Sequence, residues 1–259
     1  MKSGADMNGE LAVVVGATGA MGSAMTERLV AHGLGVVAVA RSAAALAELA
    51  ATSESIVPCV ADIGHNSAVD IIGAALNTAL NAPVRIAVFA AGLPVRGSVD
   101  TIDPDLFATG ANIKIGGMVR LVNAVRPRLV RGSRIVAVAG SLGLEPSSSE
   151  AGPGAINAGL FNVMRQYSLL YGPKGITTHT VSPGPADTPR LRRIVEAVAA
   201  ERGVAFDEVW AEYESRNSLG RLPTVQEIAW AMDMLLSPQA DLMHGSVLKM
   251  DGGASRGIG

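Results

Sequence analysis

Short apolar runs alternate with longer amphipathic segments along most of this chain. The runs are rich in Val and Ile, and several are apolar throughout, which is typical of parallel strands covered on both faces. The pattern predicts strands at residues 11–15, 35–40, 56–60, 84–89, 134–139, 176–181 and 246–250. It predicts helices at residues 21–32, 43–51, 67–80, 105–130, 155–171 and 225–236. This order indicates an α/β, Rossmann-like fold, a doubly wound parallel seven-stranded sheet with helices on both faces.

Two segments do not fit the alternation. Residues 1–10 are polar and lack the apolar run of a signal peptide, so we expect a short mobile tail there. Residues 189–223 are charged and helix-compatible. Ligands of such sheets bind beyond the carboxyl ends of the strands, so this insertion is a candidate helical lid, with a solvated excursion or an oligomer contact as the alternative. No linker divides the chain, which predicts a single domain over residues 1–259.

Composition excludes several classes of protein. Apolar residues make up 49% of the 259 residues and charged residues 17%, which argues against disorder. The net charge of -2 provides no field for nucleic acid or anionic membranes, and no apolar stretch is long enough to span a bilayer. The single cysteine, Cys59, excludes a disulfide framework and a multi-cysteine metal site, so we expect no metal and a cytoplasmic location.

A glycine-rich turn follows the first predicted strand and opens a predicted helix. Glycines in this context permit a tight turn and a close approach of backbone N–H groups to a pyrophosphate, which the helix N-terminus also attracts. The turn predicts a dinucleotide site. The residues that we expect to contact the dinucleotide here are Gly16, Thr18, Gly19, Ala20, Met21 and Gly22.

The ends of the next two strands indicate which dinucleotide binds. Where an NAD site usually has an acid for the ribose 2′-hydroxyl, this chain has Arg41 and Ser42. A guanidinium pairs with a 2′-phosphate, which favours NADPH, although an exposed charge at the start of a helix is the alternative. After the third strand, Asp62 and Ile63 lie where an adenine ring would bind, and the carboxylate would accept from its amino group.

Further motifs resemble the short-chain dehydrogenase/reductase family from residue 11 onward. They are the LGRLP and QEIA stretches at 219–223 and 226–229, the closing GSVLKMDGG at 245–253, and the asparagine of an ANIK stretch at 111–114. The resemblance implies a nicotinamide held by Pro183, Gly184 and Thr188. It also implies that FAAG at 89–92 replaces the family's NNAG, so Ala90, Ala91 and Gly92 approach the cofactor through their backbone. Asn112 matches the helix asparagine of the family's active-site tetrad.

The family's catalytic tyrosine and lysine are missing from this chain. Alignment on the NAG at 157–159 puts Pro153 at the tyrosine position and Asn157 at the lysine position, and the family's serine falls on Gly140 or Ser141. The candidates for catalysis are therefore Ser141, Asn112 and Asn157, and Asn157 could also bond the ribose hydroxyls.

No other side chain obviously replaces the missing acid. Tyr167 and Tyr171 are too far along their helix to reach the same carbonyl, whereas Tyr213 in the insertion remains possible. Lys114, two positions from Asn112, is expected on a different helix face and at the surface.

Two functions are consistent with this pattern. The first is an NADPH-dependent ketoreductase for a bulky aromatic ketone that supplies its own proton, similar to the angucyclinone ketoreductase type of this family, which acts in antibiotic biosynthesis and lacks the tyrosine. The second is a pseudoenzyme that keeps the fold and binds NADP(H) for regulation or as a scaffold. The family resemblance also suggests a homodimer or homotetramer.

Overall fold

The computed structural model describes residues 9–79, 81–93, 95 and 97–257, and it contains one parallel sheet of seven strands. The strands are β1 (Leu11–Val15), β2 (Gly35–Ala40), β3 (Ile56–Val60), β4 (Val84–Phe89), β5 (Arg134–Val138), β6 (Thr177–Pro183) and β7 (Val247–Met250). Their order across the sheet is β3-β2-β1-β4-β5-β6-β7. The predicted doubly wound α/β fold is confirmed.

Helices connect successive strands. They are α1 (Ala20–Ala31), α2 (Ala43–Ala50), α3 (Ser67–Ala79), α4 (Pro104–Ala111), α5 (Gly117–Val125), α6 (Ala151–Tyr171), α7 (Pro189–Arg202), α8 (Phe206–Glu214), α9 (Val225–Ala229) and α10 (Ala231–Leu236). None of the helices in the described residues is long and apolar enough to cross a membrane. The described part of the chain also has no cluster of His, Cys, Asp and Glu that could hold a metal ion.

The centre of the sheet is where the winding reverses direction. Strand β1 pairs with β2 on one side and with β4 on the other. The connections after β1 and after β4 therefore leave on opposite faces, and a crevice opens between the carboxyl ends of these two strands. This crevice is the place where such a sheet binds its ligands.

The core consists of two apolar layers, one on each face of the sheet. Alternate residues of β1 supply them: Ala12 and Val14 pack toward α1, α2, α9 and α10, whereas Val13 and Val15 pack toward α3, α5 and α6. Successive side chains of a strand point to opposite faces, so a strand buried on both faces favours apolar residues at successive positions, as in β1. This preference explains how apolar runs predicted such strands, although the fully buried β6 is mostly polar.

The predicted helix at residues 105–130 is wrong as a single element. It consists of α4, one π-helical turn over Asn112–Gly116, α5, and a short 3-10 turn at Arg126–Arg128. A π turn has i→i+5 hydrogen bonds in place of the i→i+4 bonds of an α-helix, and such turns often occur at functional sites.

The start of α6 also differs from its predicted position. We expected residues 155–171, but the helix begins four residues earlier, at Ala151, so that Pro153 lies in its first turn. Proline is tolerated there because the N–H groups of the first turn have no partner within the helix. The predicted helix at 225–236 is likewise divided, at Trp230, into α9 and α10.

The insertion at residues 189–223 contains α7 and α8, which pack on each other through a small core of their own. Its buried members are Leu191, Val195, Ala199, Val209 and Leu222. The two ends of the insertion meet, because the N–H of Asp187 donates to the carbonyl oxygen of Pro223 over 3.0 Å. The predicted N-terminal tail lies almost entirely in residues 1–8, outside the described residues.

Candidate active site and cofactor groove

A groove of about 540 Å³ runs along the carboxyl edge of the sheet, across the crevice between β1 and β4. It brings together nine of the residues that the sequence predicted to bind the cofactor. These are Gly16, Thr18, Gly19, Arg41, Asp62, Ile63, Ala90, Ala91 and Gly92. It also contains Leu93, Ile113, Arg190 and Arg193, which the sequence did not indicate.

The glycine turn at one wall of the groove has no room for side chains. Gly16 has φ +83°, and a Cβ there would lie 2.8 Å from the backbone of Ala90 and Ala91. A Cβ on Gly22 would lie 2.1 Å from the carbonyl oxygen of Gly16. Glycine is therefore required at both positions. The turn leads into α1, whose first residues, Ala20 and Met21, have N–H groups without acceptors inside the helix, so an anion can bind them.

The residues after β2 and β3 build the end of the groove where the sequence predicts the adenine. Arg41 is exposed, lines the groove, and makes no hydrogen bond or ion pair within the described residues. The Ser42 hydroxyl accepts from the N–H of Ala45 (3.2 Å) and so caps α2. Asp62 Oδ1 accepts from the N–H of Gly64 (2.9 Å), while the side chain remains partly exposed. Of the two residues after β2, Ser42 already caps a helix, whereas the guanidinium of Arg41 is available to a ligand.

Lys114 is buried, and the expectation that it lies at the surface is wrong. The residue is 4% exposed. Its Nζ donates to the carbonyl oxygens of Ala91 (2.9 Å) and Val138 (2.7 Å), which lie at the ends of β4 and β5. Burial, and secondarily the charge of Arg190, lowers the pKa of Lys114 to about 7. A neutral amine keeps two N–H groups, enough for both carbonyls.

The sequence contained a signal for the burial of Lys114. Counting along the helix, Lys114 falls in register with Met118, Leu121, Val122 and Val125, and all four are buried. Residues at these intervals share one face of a helix. Asn112 and Lys114 do lie on different faces, as expected, but it is the face of Lys114 that packs on the sheet.

Asn112 is bonded to the loop after β3. Its Nδ2 donates to the carbonyl oxygen of Gly64 (2.9 Å), and its Oδ1 accepts from Nη2 of Arg120 (2.8 Å). Arg120 also donates to the carbonyl oxygens of Ile63 and Asn112. The side chain of Asn112 thus ties the π turn to the residues after β3, and none of these bonds leads to α6.

The first turns of α6 carry the residues at the expected tyrosine and lysine positions. Pro153 and Asn157 are four apart and so lie on the same face of the helix. Asn157 is 5% exposed, and its Oδ1 has no partner in the described part of the chain. A Cβ on Gly140 would lie 3.0 Å from Nδ2 of Asn157, so the amide packs directly on that glycine. A buried amide oxygen without a donor is an acceptor for a ligand hydroxyl.

Ser141 begins a short 3-10 turn, Ser141–Gly143, directly after the glycine that Asn157 contacts. Its hydroxyl makes no hydrogen bond within the described residues, so it is available to a substrate carbonyl. Gly140 itself is in extended backbone and offers no side chain. Of the two residues on which the family's serine position falls, only Ser141 has a hydroxyl.

The loop expected to hold the nicotinamide follows β6. Pro183 is the last residue of that strand, and a Cβ on Gly184 would lie 3.2 Å from Asp251. The Thr188 hydroxyl accepts from the N–H of Leu191 (3.1 Å) and caps α7. The hydroxyl hydrogen of Thr188 remains available for a ligand acceptor.

None of the three tyrosines lines the groove. Tyr167 and Tyr171 pack on each other near the far end of α6, with ring centroids 5.9 Å apart, and burial raises the pKa of Tyr167 to about 12. The ring of Tyr213 packs against the core of the insertion and faces the guanidinium of Arg216, 4.0 Å from its centroid. Within the described residues, none of these tyrosine contacts involves Asn157.

Comparisons with known proteins cover nearly the whole chain. A family model described as enoyl-(acyl carrier protein) reductase matches residues 16–255. Short-chain reductase protein NovJ of Streptomyces niveus is 26% identical over 98% of this chain and 99% of its own length. Cis-4-hydroxycyclohexanecarboxylate dehydrogenase of Sinomonas cyclohexanicum is 26% identical over 94% of this chain and 95% of its own.

A solved structure gives the same result for the fold. L-sorbose reductase of Gluconobacter frateurii, in complex with NADPH and L-sorbose, matches with a TM-score of 0.90 at 20% identity, over 98% of this chain and 100% of that chain. The long match to the family model, the full-length relatives and the groove at the β1–β4 crevice lead to one conclusion. The chain belongs to the short-chain dehydrogenase/reductase family, whose members are oxidoreductases that bind a nicotinamide cofactor.

Proposed function

We propose that this protein is an NADPH-dependent ketoreductase that reduces a carbonyl group of a bulky polycyclic aromatic substrate without a tyrosine acid. One observation carries the proposal. The groove is lined by nine of the residues expected to bind a dinucleotide, while the helix face that should supply the acid and its lysine carries Pro153 and Asn157. The protein thus keeps a groove that can bind the cofactor and position the substrate, but it lacks the tyrosine that donates the proton.

The residues present fit the cofactor. Gly16 and Gly22 form a cradle that a Cβ would fill, and the buried Oδ1 of Asn157 lacks a donor that a ribose hydroxyl would supply. Thr188 would hold the carboxamide, with Pro183 and Gly184 beneath the ring. When bound, the cofactor supplies a hydride to the carbonyl carbon. The chain's contribution is to hold the carbonyl in place, with Ser141 donating to its oxygen.

The typical energetic contributions to catalysis are consistent with an enzyme that lacks its own general acid. Correct positioning lowers a barrier by roughly 7–11 kcal/mol, whereas a general acid contributes roughly 10²–10⁴-fold in rate. A phenol next to the ketone would transfer its proton to the carbonyl oxygen as the hydride arrives at carbon, and the phenolate would then recover a proton from water. We therefore infer that the substrate has a phenolic hydroxyl next to the carbonyl group that is reduced.

The preference for NADPH is assigned to Arg41. We expect wild-type protein to bind NADPH at least tenfold more tightly than NADH, because a guanidinium bonds a 2′-phosphate bidentately. The Arg41→Ala variant should lose most of this preference through weaker NADPH binding, with NADH binding unchanged. Titration of the fluorescence of each nucleotide with both proteins measures the four dissociation constants. Equal constants for the two nucleotides in the wild type would contradict the assignment.

The chemistry is tested with NADPH deuterated at the transferable position and a hydroxylated polycyclic ketone. We expect deuterium at the carbinol carbon of the product. Transfer to the analogue whose neighbouring hydroxyl is methylated should be slower by about 10²-fold or more, since no proton donor is left. The matched protein control is Tyr213→Phe, which should leave the rate on the hydroxylated ketone unchanged. Equally fast reduction of both ketones would mean that the protein supplies the proton.

A pseudoenzyme that binds NADP(H) for regulation or as a scaffold is the second candidate. It is favoured by the same two residues, Pro153 and Asn157, if the groove serves binding alone. NADPH binding without deuterium transfer to any of a panel of hydroxylated aromatic ketones would select it.

We also propose that the protein forms a homodimer or homotetramer. Leu106, Leu169 and Leu170 are exposed apolar side chains on α4 and α6 in the single chain, and light scattering of the purified protein measures the number of subunits.

A further inference from the structure

Two arginines of the insertion reach into the cofactor groove. Arg190 and Arg193 lie at the start of α7 and line the groove together with the glycine turn. Arg190 Nη2 donates to the carbonyl oxygen of Leu93 over 2.6 Å. A Cβ on Gly92 would lie 3.4 Å from Arg190 Nη1. The guanidinium therefore lies on the stretch of chain after β4 whose first residues contact Gly16.

The side chains that line the groove as a whole carry more positive than negative charge. Its lining side chains include three arginines, Arg41, Arg190 and Arg193, and one carboxylate, Asp62. The ammonium of Lys114 lies just behind, bonded to Ala91, and the charge of Arg190 contributes to lowering its pKa. Cations that repel one another across a groove make that groove a site for an anion.

Arg192, on the same helical turn, has its side chain in an ion pair outside the groove. Arg192 forms a bidentate ion pair with Asp187 (2.8 and 2.7 Å), and its guanidinium stacks on the ring of Trp210, 4.9 Å from the centroid. Residues three apart share a helix face, so Arg190 and Arg193 point together into the groove while Arg192 points away from it. Arg192 supplies a control with the same charge in the same turn.

We propose that Arg190 and Arg193 bind the diphosphate of the cofactor from the side opposite the Gly16–Gly22 turn. The inference rests on the proposed function, since it requires that the groove hold a dinucleotide. Arg190 exchanges its bond to the Leu93 carbonyl for bonds to phosphate oxygens, which are stronger because both partners are charged. The diphosphate then joins the insertion to the sheet, so cofactor binding closes α7 over the groove.

The test uses ligands that separate the two phosphate sites. ADP-ribose carries the diphosphate without the 2′-phosphate, and adenosine 2′-monophosphate carries the 2′-phosphate without the diphosphate. For Arg190→Ala combined with Arg193→Ala, we expect dissociation constants for NADPH and ADP-ribose at least tenfold higher than in the wild type. Binding of adenosine 2′-monophosphate should be unchanged, which also shows that the variant is folded. Arg192→Ala should change none of the three constants more than twofold, and Arg41→Ala should weaken only the 2′-phosphorylated ligands.

A second readout follows the insertion itself. Hydrogen exchange of residues 189–202 should slow when ADP-ribose binds the wild-type protein and should not slow in the double variant. Unchanged ADP-ribose binding by the double variant would overturn the diphosphate contact and leave the proposed function standing. Equal weakening by Arg192→Ala would show that net charge alone matters and would also overturn it. If the wild type binds neither NADPH nor ADP-ribose, the proposed function fails together with this inference.

Discussion

Replacing Gly22 with alanine is expected to abolish measurable NADPH binding and to lower the free energy of unfolding by about 2 kcal/mol. The new Cβ would lie 2.1 Å from the carbonyl oxygen of Gly16, far inside van der Waals contact, so α1 must move away from the glycine turn. Overpacking of this kind costs roughly 1–3 kcal/mol. The same movement displaces the N–H groups of the first helical turn from the phosphate position.

Gly73→Ala is the matched control for this variant. Gly73 lies within α3, and a Cβ there meets no atom within 4 Å. Alanine in a helix interior is more favourable than glycine by about 0.5–1 kcal/mol, so this variant should be slightly stabilised and should bind NADPH normally. Urea denaturation and nucleotide fluorescence measure the two effects. Normal NADPH affinity in Gly22→Ala would mean that the cradle does not hold the cofactor.

Replacing Lys114 with methionine is expected to remove a pH dependence of stability that the wild type shows. In the folded chain the pKa of Lys114 is about 7, while in the unfolded chain it is near 10.4. Between these values the unfolded state binds the extra proton, so wild-type stability should rise with pH, by at most about 1.4 kcal/mol per unit. Well below pH 7, Lys114 is protonated in both the folded and the unfolded protein. The folded protein then carries the full energetic cost of a buried charge, and its stability no longer changes with pH through this residue.

In the Lys114→Met variant, two different effects determine the stability. Methionine removes the buried charge but leaves the carbonyl oxygens of Ala91 and Val138 without donors, at a cost of about 1–3 kcal/mol for each. Lys114→Met should therefore be less stable than the wild type at pH 9, and the difference should shrink toward pH 6. Urea denaturation at several pH values measures both proteins, and Lys174→Met, which removes an exposed lysine, should follow the wild type. A pH-independent difference between Lys114→Met and the wild type would show that Lys114 does not titrate in this range.

Sequence patterns predicted the sheet well because burial on both faces favours apolar residues along central strands such as β1 and β2. They also indicated nine of the residues that line the groove, among them Gly16 in the turn after the first strand and Arg41 after the second. That these residues bind a dinucleotide stays a prediction. The helices were harder. An apolar pattern does not reveal a π turn at Asn112, and a proline is compatible with either side of a helix start, so α6 begins earlier than expected.

The contacts of the insertion with the sheet were not predicted. Arg190 meets a carbonyl group 97 positions away, on the loop after β4. A charged residue at the start of a solvated helix has the same local pattern whether it faces water or a groove. Lys114 is the opposite case. Its spacing from Asn112 led us to expect it at the surface, but its spacing from the apolar residues of α5 matches the buried face on which it lies.

The meeting of the two ends of the insertion, at Asp187 and Pro223, has a consequence for changes in the length of this segment. The segment leaves and rejoins the sheet at nearly one point, and its helices carry their own core. Changing its length therefore costs little in chain entropy and disturbs few contacts of the sheet. We therefore expect that a shortened or lengthened segment between residues 189 and 223 would leave the sheet folded.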